Sequence, residues 1–248
     1  MSWHPFDKIK AERHGTLGLP DPKPGARIGI KPKAQAGANP TALDRLQELV
    51  AKAKDDIAGI STVGERAEYK RRALPEMFPL VKIYRDSRSM EPNMDVIMVM
   101  IWLFDADIMD EAMNLAFYLI GQGNQHMPER FARNIETFVA DFIYDWAAER
   151  LNIDQSAEPY LSTVIRVSDE QQWRLNFIVR GKLYAIAAKH ALCEERYIDC
   201  VRLCDKAEYY NPQRAGVKST RLKAQDHMGN GNMNKPGVSA LSNKSAAH

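Results

Sequence analysis

From Thr41 to Met228 the apolar residues of this 248-residue chain recur at spacings of three and four. Nowhere do alternating apolar residues lie between Gly/Asn-rich hairpin turns. A spacing of three and four puts the apolar side chains on one stripe of an α-helix, so the expected fold is all-α, built of many helices.

Leu43, Leu46, Leu49, Val50 and Ala53 mark a first helix from Thr41 to near Gly59. A second follows Ser61-Thr62, whose hydroxyls ahead of Glu65 offer a capping pattern, and it carries Lys70, Arg71 and Arg72. Leu74-Pro75 is read as the start of a separate segment through Tyr84, and Pro92 as the opening of the next helix, because proline suits a first helical turn. Met94 to Phe104 is apolar nearly all round, which favours a helix at the centre of the fold. Its longest apolar run, Val96 to Phe104, is nine residues between Asp95 and Asp105, far short of the ~20 that span a bilayer, so no membrane partner is expected.

Asp110 to Leu119 forms a further helix stopped by Gly121 and Gly123, and Phe131 to Leu151 reads as one long helix. Residues 152–170 read as a connector with about one turn of helix, after which the period resumes from Trp173 to Leu192. Gly181 to Gln213 holds two helices broken at Glu194-Glu195-Arg196. The small residues Ala185, Ala188, Ala191 and Ala207 stand where the two would approach, as in a tetratricopeptide-like helical hairpin.

Four regions follow. Residues 1–40 contain six Pro and five Gly with a net charge of +4 (7 basic, 3 acidic), the composition of a flexible basic arm. Residues 41–90 form an N-terminal helical region with the basic cluster, 91–228 a helical core and oligomerisation region, and 229–248 a Gly/Asn/Ser-rich disordered tail.

Charge is unevenly distributed: +5 over residues 1–75 (14 basic, 9 acidic), −9 over 76–160 (6 and 15), and +6 over 161–248 (14 and 8). An acidic middle between basic ends favours attraction between copies, and it excludes a uniformly basic nucleic-acid coat. Three cysteines, Cys193, Cys200 and Cys204, make no disulfide framework and fit a reducing compartment. The N-terminal residues show no secretory h-region, so a soluble intracellular protein is expected.

Three constellations bear on chemistry. Lys52, Lys54, Arg66, Lys70, Arg71 and Arg72 lie on two successive helices and can offer cations to phosphates, or form a solvated face. Asp105, Asp107, Asp110 and Glu111 are close enough in sequence for some to share Mg²⁺, although the last three also suit the first turn of a helix. His190, Cys193, Cys200 and Cys204 have ligand types for zinc, and the two later cysteines equally suit a dry helical interface. No Walker-type phosphate loop and no Gly-x-Ser-x-Gly elbow occurs, so no cofactor and no catalytic residue is assigned; the Asp105, Asp107 and Asp110 group is the fallback.

Several segments resemble one family. They are Lys70-Arg71-Arg72-Ala73-Leu74-Pro75 with Pro79-Leu80-Val81, Asp95 through Trp102, and Asp107-Ile108 with Ala112 and Ala116. Gly181-Lys182-Leu183-Tyr184 and Ala215-Gly216-Val217-Lys218 add to them. Over roughly residues 43–225 the chain is similar to the small subunit of DNA-packaging terminases of temperate contractile-tailed phages, a family labelled the terminase endonuclease subunit. The resemblance implies a protein of the host cell cytoplasm that binds double-stranded phage DNA and assembles as a homo-oligomeric ring. It also implies delivery of that DNA to a terminase large subunit holding the ATPase and the nuclease. Carried onto this chain, it makes Arg66, Lys70, Arg71 and Arg72 the first DNA-contact candidates and Lys218, Arg221 and Lys223 the second. Two other readings stand beside it: a helical-hairpin interaction scaffold without a DNA role, and a Mg²⁺-dependent endonuclease.

Overall fold

A computed structural model describes residues 41–233 of the chain, side chains through residue 229. The expected arm at 1–40 lies outside the described residues, as does most of the expected tail. Among the described residues there are nine α-helices and one short 3₁₀ turn, and no strand, so the fold is all-α. They divide into two compact units, one ending at Phe142 and the other beginning at Ile143.

In the first unit, α1 (Ala42–Ala58) packs on α2 (Val63–Asp86), and both pack on α3 (Met94–Asp105), which pairs with α4 (Met109–Gln122). Both of the first two helices start at a threonine. The Asp44 amide donates to Thr41 Oγ1 (3.1 Å) while the Asp44 carboxylate accepts from the Thr41 amide (2.8 Å), a capping box. The Glu65 amide donates to Thr62 Oγ1 (3.2 Å), which satisfies one of the four amides that a helix start leaves unpaired. The expected break at Pro75 does not occur, since α2 runs unbroken for 24 residues through Pro75 and Pro79. The two prolines stand one turn apart on the exposed side of the helix, where the carbonyls that lose their i+4 donors face water. Leu74, Met77, Val81 and Tyr84 on the other side are buried and keep the helix docked.

Every residue of α3 from Val96 to Phe104 is buried, which accounts for its apolar character all round. Asn93 caps it, its side-chain oxygen accepting from the amides of Asp95 and Val96 at 3.0 Å each, so Pro92 precedes the helix instead of opening it. Gly123, at φ +73°, ends α4 in the left-handed region that glycine tolerates best. The 3₁₀ turn at Glu129–Phe131 separates from α5 (Ile135–Asn152), so the helix expected from Phe131 begins later.

In the second unit, α6 (Tyr160–Glu170) packs on α7 (Phe177–Cys193), α7 on α8 (Tyr197–Tyr210), and both of the latter on α9 (Lys218–Met233). Residues 160–170 therefore form three turns of helix where one was expected; Leu161, Val164, Val167 and Ser168 supply its buried stripe. α9 has no counterpart among the expected helices. α7 and α8 form the expected antiparallel hairpin, closed by Glu195 at φ +58°. The core shared by α7, α8 and α9 is built mostly of small side chains: Ala185, Ala188, Ala191, Cys200, Cys204, Ala207 and Ala224, with Tyr184 and Val217. At Gly181 an added Cβ would lie 2.8 Å from Asn211 Cβ and 3.3 Å from the Ala207 carbonyl, so only glycine lets α7 come this close to the end of α8.

Candidate nucleic-acid interface

The basic cluster lies on α1 and α2, and its members have different surroundings. Arg66 turns back, its Nε donating to the Ile60 carbonyl at 2.8 Å, and so holds the turn between α1 and α2. Lys70 Nζ reaches Asp105 at 2.5 Å, with the two side chains only 11% and 13% exposed. Arg71 Nε donates to the Ala106 carbonyl at 2.9 Å, and its Nη1 lies 3.2 Å from Glu68. Lys70 and Arg71 thus sit at the C-terminal end of α3, where unpaired carbonyls and the helix dipole favour positive charge.

Lys52, Lys54 and Arg72 are exposed. Lys54 lies 4.0 Å from Asp95, while Lys52 and Arg72 make no ion pair among the described residues. Burial pushes the Asp95 carboxyl above its ordinary value, and the Lys54 charge opposes that shift. α1 is tied to α2 by Tyr69, whose hydroxyl donates to Asp56 at 2.5 Å. Burial, followed by that hydrogen bond, pushes the Tyr69 hydroxyl up to about 12.

The second candidate group lies on α9. Arg221 bridges to α8 through Asp205 and, at 2.7 Å, Glu208. Lys218 and Lys223 are exposed and make no ion pair among the described residues. The three members therefore divide into one brace between helices and two cations open to solvent.

The acidic group is spread over a turn. Asp105 accepts from Lys70, Asp107 occupies the left-handed region at φ +58°, and Asp110 and Glu111 fall in the first turn of α4, where the dipole favours negative charge. In the cysteine group, Cys193 is exposed while Cys200 and Cys204 are buried against α9, with Sγ 4.0 and 3.9 Å from the Thr220 and Val217 carbonyls. Burial pushes the Cys204 thiol up to about 12, so it stays protonated. His190 is buried, with Nε2 2.9 Å from the Ala147 carbonyl; that acceptor fixes the proton on Nε2. Among the described residues, His, Cys, Asp and Glu side chains nowhere gather as a group of three or more able to hold a metal.

Sequence reading passed over a polar network in the second unit. Asp169 accepts from the Tyr184 hydroxyl, from Arg180 at 3.1 Å and from Lys206 at 3.4 Å. Burial first, then the Asp169 hydrogen bond, pushes the Tyr184 hydroxyl well above its ordinary range. The three residues that meet Asp169 lie 11 to 37 positions away in sequence, so no local motif announces them.

Among the described residues no helix is long and apolar enough to cross a membrane. No solved structure matches the chain. A probable terminase, endonuclease subunit, of Haemophilus phage HP1 (strain HP1c1) is 33% identical over 207 residues, covering 75% of this chain and 73% of that protein. The model of the phage small terminase subunit family matches residues 47–175, from within α1 through the rest of the first unit and past α6 into the second. With a family match over half of its length and a relative 33% identical over three quarters of it, the chain belongs to the phage small terminase subunits, a family that serves DNA packaging.

Proposed function

We propose that the chain binds double-stranded phage DNA, assembles with copies of itself into a ring, and delivers the DNA to a large subunit carrying the ATPase and the nuclease. The compartment is the host cell cytoplasm. The observation that carries the DNA contact is the set of exposed cations, Lys52 and Arg72 on the first unit and Lys218 and Lys223 on the second, with no ion pair among the described residues. Lys54 belongs with the first pair. Arg66, Lys70, Arg71 and Arg221 have their hydrogen-bonding groups directed at the protein itself and contribute by shaping the surface.

Weak phosphate contacts gain from repetition, because a ring converts every contact after the first into an intramolecular one. The alternation of +5, −9 and +6 along the chain supports a head-to-tail interface in which one copy's acidic stretch meets the next copy's basic one.

The test is duplex-DNA affinity as a function of salt, with native mass measured on the same samples. Lys52→Ala with Arg72→Ala, and separately Lys218→Ala with Lys223→Ala, should each flatten the slope of log K against log salt by about 0.9 per lost phosphate contact. Native mass should stay that of a discrete ring. A monomer that ignores duplex DNA at low salt would sink the proposal and bring back the helical-hairpin scaffold.

A further inference from the structure

At the open end of the α7–α8 hairpin, four aromatic rings run from the interior out to the surface. Tyr184 and Tyr210 stack almost parallel (centroids 5.6 Å apart, 2° between planes), and Phe177 continues the stack on Tyr210 at 6.1 Å and 29°. Tyr209 meets Tyr210 edge to face at 5.1 Å and 81°. The inner members are fixed: Tyr184 is buried and bound to Asp169, and the Arg180 guanidinium lies 5.9 Å from the centre of the Tyr210 ring. The outer members are open, Phe177 being 70% exposed and Tyr209 78%. Leaving two large rings in water forgoes the burial that drives folding, yet the stack beneath holds both in place.

Around the rings cations outnumber carboxylates. Residues 171–182 contain Arg174, Arg180 and Lys182 and no acid, and Arg214, exposed in the loop after α8, makes no ion pair among the described residues. The two nearby carboxylates are already engaged, Asp169 with Arg180 and Lys206, and Glu208 with Arg221.

We propose that Phe177 and Tyr209 form a stacking platform for unpaired nucleic-acid bases, with the exposed Arg214 meeting a phosphate of the same strand. Fixed aromatic faces beside cations match single-stranded nucleic acid, because every base has a π-face and every linkage a negative charge. A two-fold contact with a second copy fits less well, since it would set the same cations against one another, and a head-to-tail contact is read out below as a fall in native mass. The platform rests on the DNA-binding reading above and extends it from duplex to single strand.

The test compares the full chain with Phe177→Ala, Tyr209→Ala and the double variant, using fluorescent oligo(dT) and a mixed-sequence duplex at the same low salt. Both side chains are exposed, so the variants should keep their helical circular dichroism and thermal midpoint. Each substitution should weaken oligo(dT) binding about tenfold and leave duplex affinity nearly unchanged. Phe177→Trp should keep oligo(dT) affinity and show emission, relative to wild type, that the oligonucleotide quenches. Unchanged oligo(dT) affinity in the double variant, or an equal loss for both ligands, overturns the platform while leaving duplex binding standing. A fall in native mass on substitution overturns it in favour of a subunit interface. A wild-type chain that binds neither ligand removes the platform together with the DNA-binding reading.

Discussion

The first unit buries large side chains, whereas the α7–α8–α9 hairpin core of the second buries small ones. In α3, Phe104, Ile97, Met100, Ile101 and Leu103 are among the most completely buried large side chains of the described residues. The hairpin core relies on alanine, cysteine and Gly181, and gains its contact from how closely the backbones approach. Close-packed interiors tolerate neither voids nor excess, yet the two regions are exposed to opposite faults. Removing atoms should harm the first, and adding them should harm the second.

The largest effect should come from Phe104→Ala. Phe104 is 1% exposed and touches Phe138 and Phe142, at centroid distances of 5.7 and 4.7 Å, so the variant should lose about 3–5 kcal/mol, read from urea unfolding. A loss below about 1 kcal/mol would mean that the region collapses around the void, and the contrast with the hairpin would weaken. Next is Gly181→Ala, a single added methyl, with an expected cost of about 1–3 kcal/mol. Combining it with Asn211→Gly removes the nearest clashing atom and should recover part of that loss, a coupling that a double-mutant cycle measures.

Third in size is Lys70→Ala, which removes the charged partner of Asp105 at the end of α3 and should cost about 1–3 kcal/mol. Arg72→Ala, two positions on and exposed, should stay within about 0.5 kcal/mol. Equal losses for the two would dissolve the division of the basic cluster into braces and open cations. The smallest effect concerns the start of α1. The Thr41 hydroxyl, followed by its amide, holds the Asp44 carboxyl below its ordinary value. A carboxyl depressed in the folded state stabilises above its unfolded pKa, and that contribution disappears as pH falls through the folded one. Thr41→Ala should therefore separate from wild type at neutral pH and converge with it in acid, as followed by thermal unfolding across pH.

Much of this fold is legible from spacing because α1 and α4 bury residues at three- and four-residue intervals and α3 is apolar all round. Proline misleads in α2, where Pro75 and Pro79 share the exposed side and tertiary docking of Leu74 and Met77 overrides their local preference. α6 is short, and its four buried residues barely exceed one stripe. α9 buries only Thr220 and Ala224 among its described side chains, leaving almost no apolar period to detect. The cations of the candidate interface are visible as letters, but their partners are not. Lys70 meets Asp105 across 35 positions and Arg71 meets a main-chain oxygen equally distant, so only the fold separates them from Arg72. Phe177 and Tyr209 pass unnoticed for a similar reason, since their meeting at Tyr210 depends on the hairpin closing.

The anchoring of Lys70 and Arg71 to the end of α3 has a consequence for genetics. A screen for phage unable to fill their heads would return both positions as strong hits, because losing either loosens the helix on which the first unit is built. Such alleles should be temperature-sensitive and rescued by second-site changes that tighten the core, whereas, under the proposed DNA contact, alleles at Lys52 or Arg72 should be indifferent to temperature and rescued by extra positive charge elsewhere on the surface.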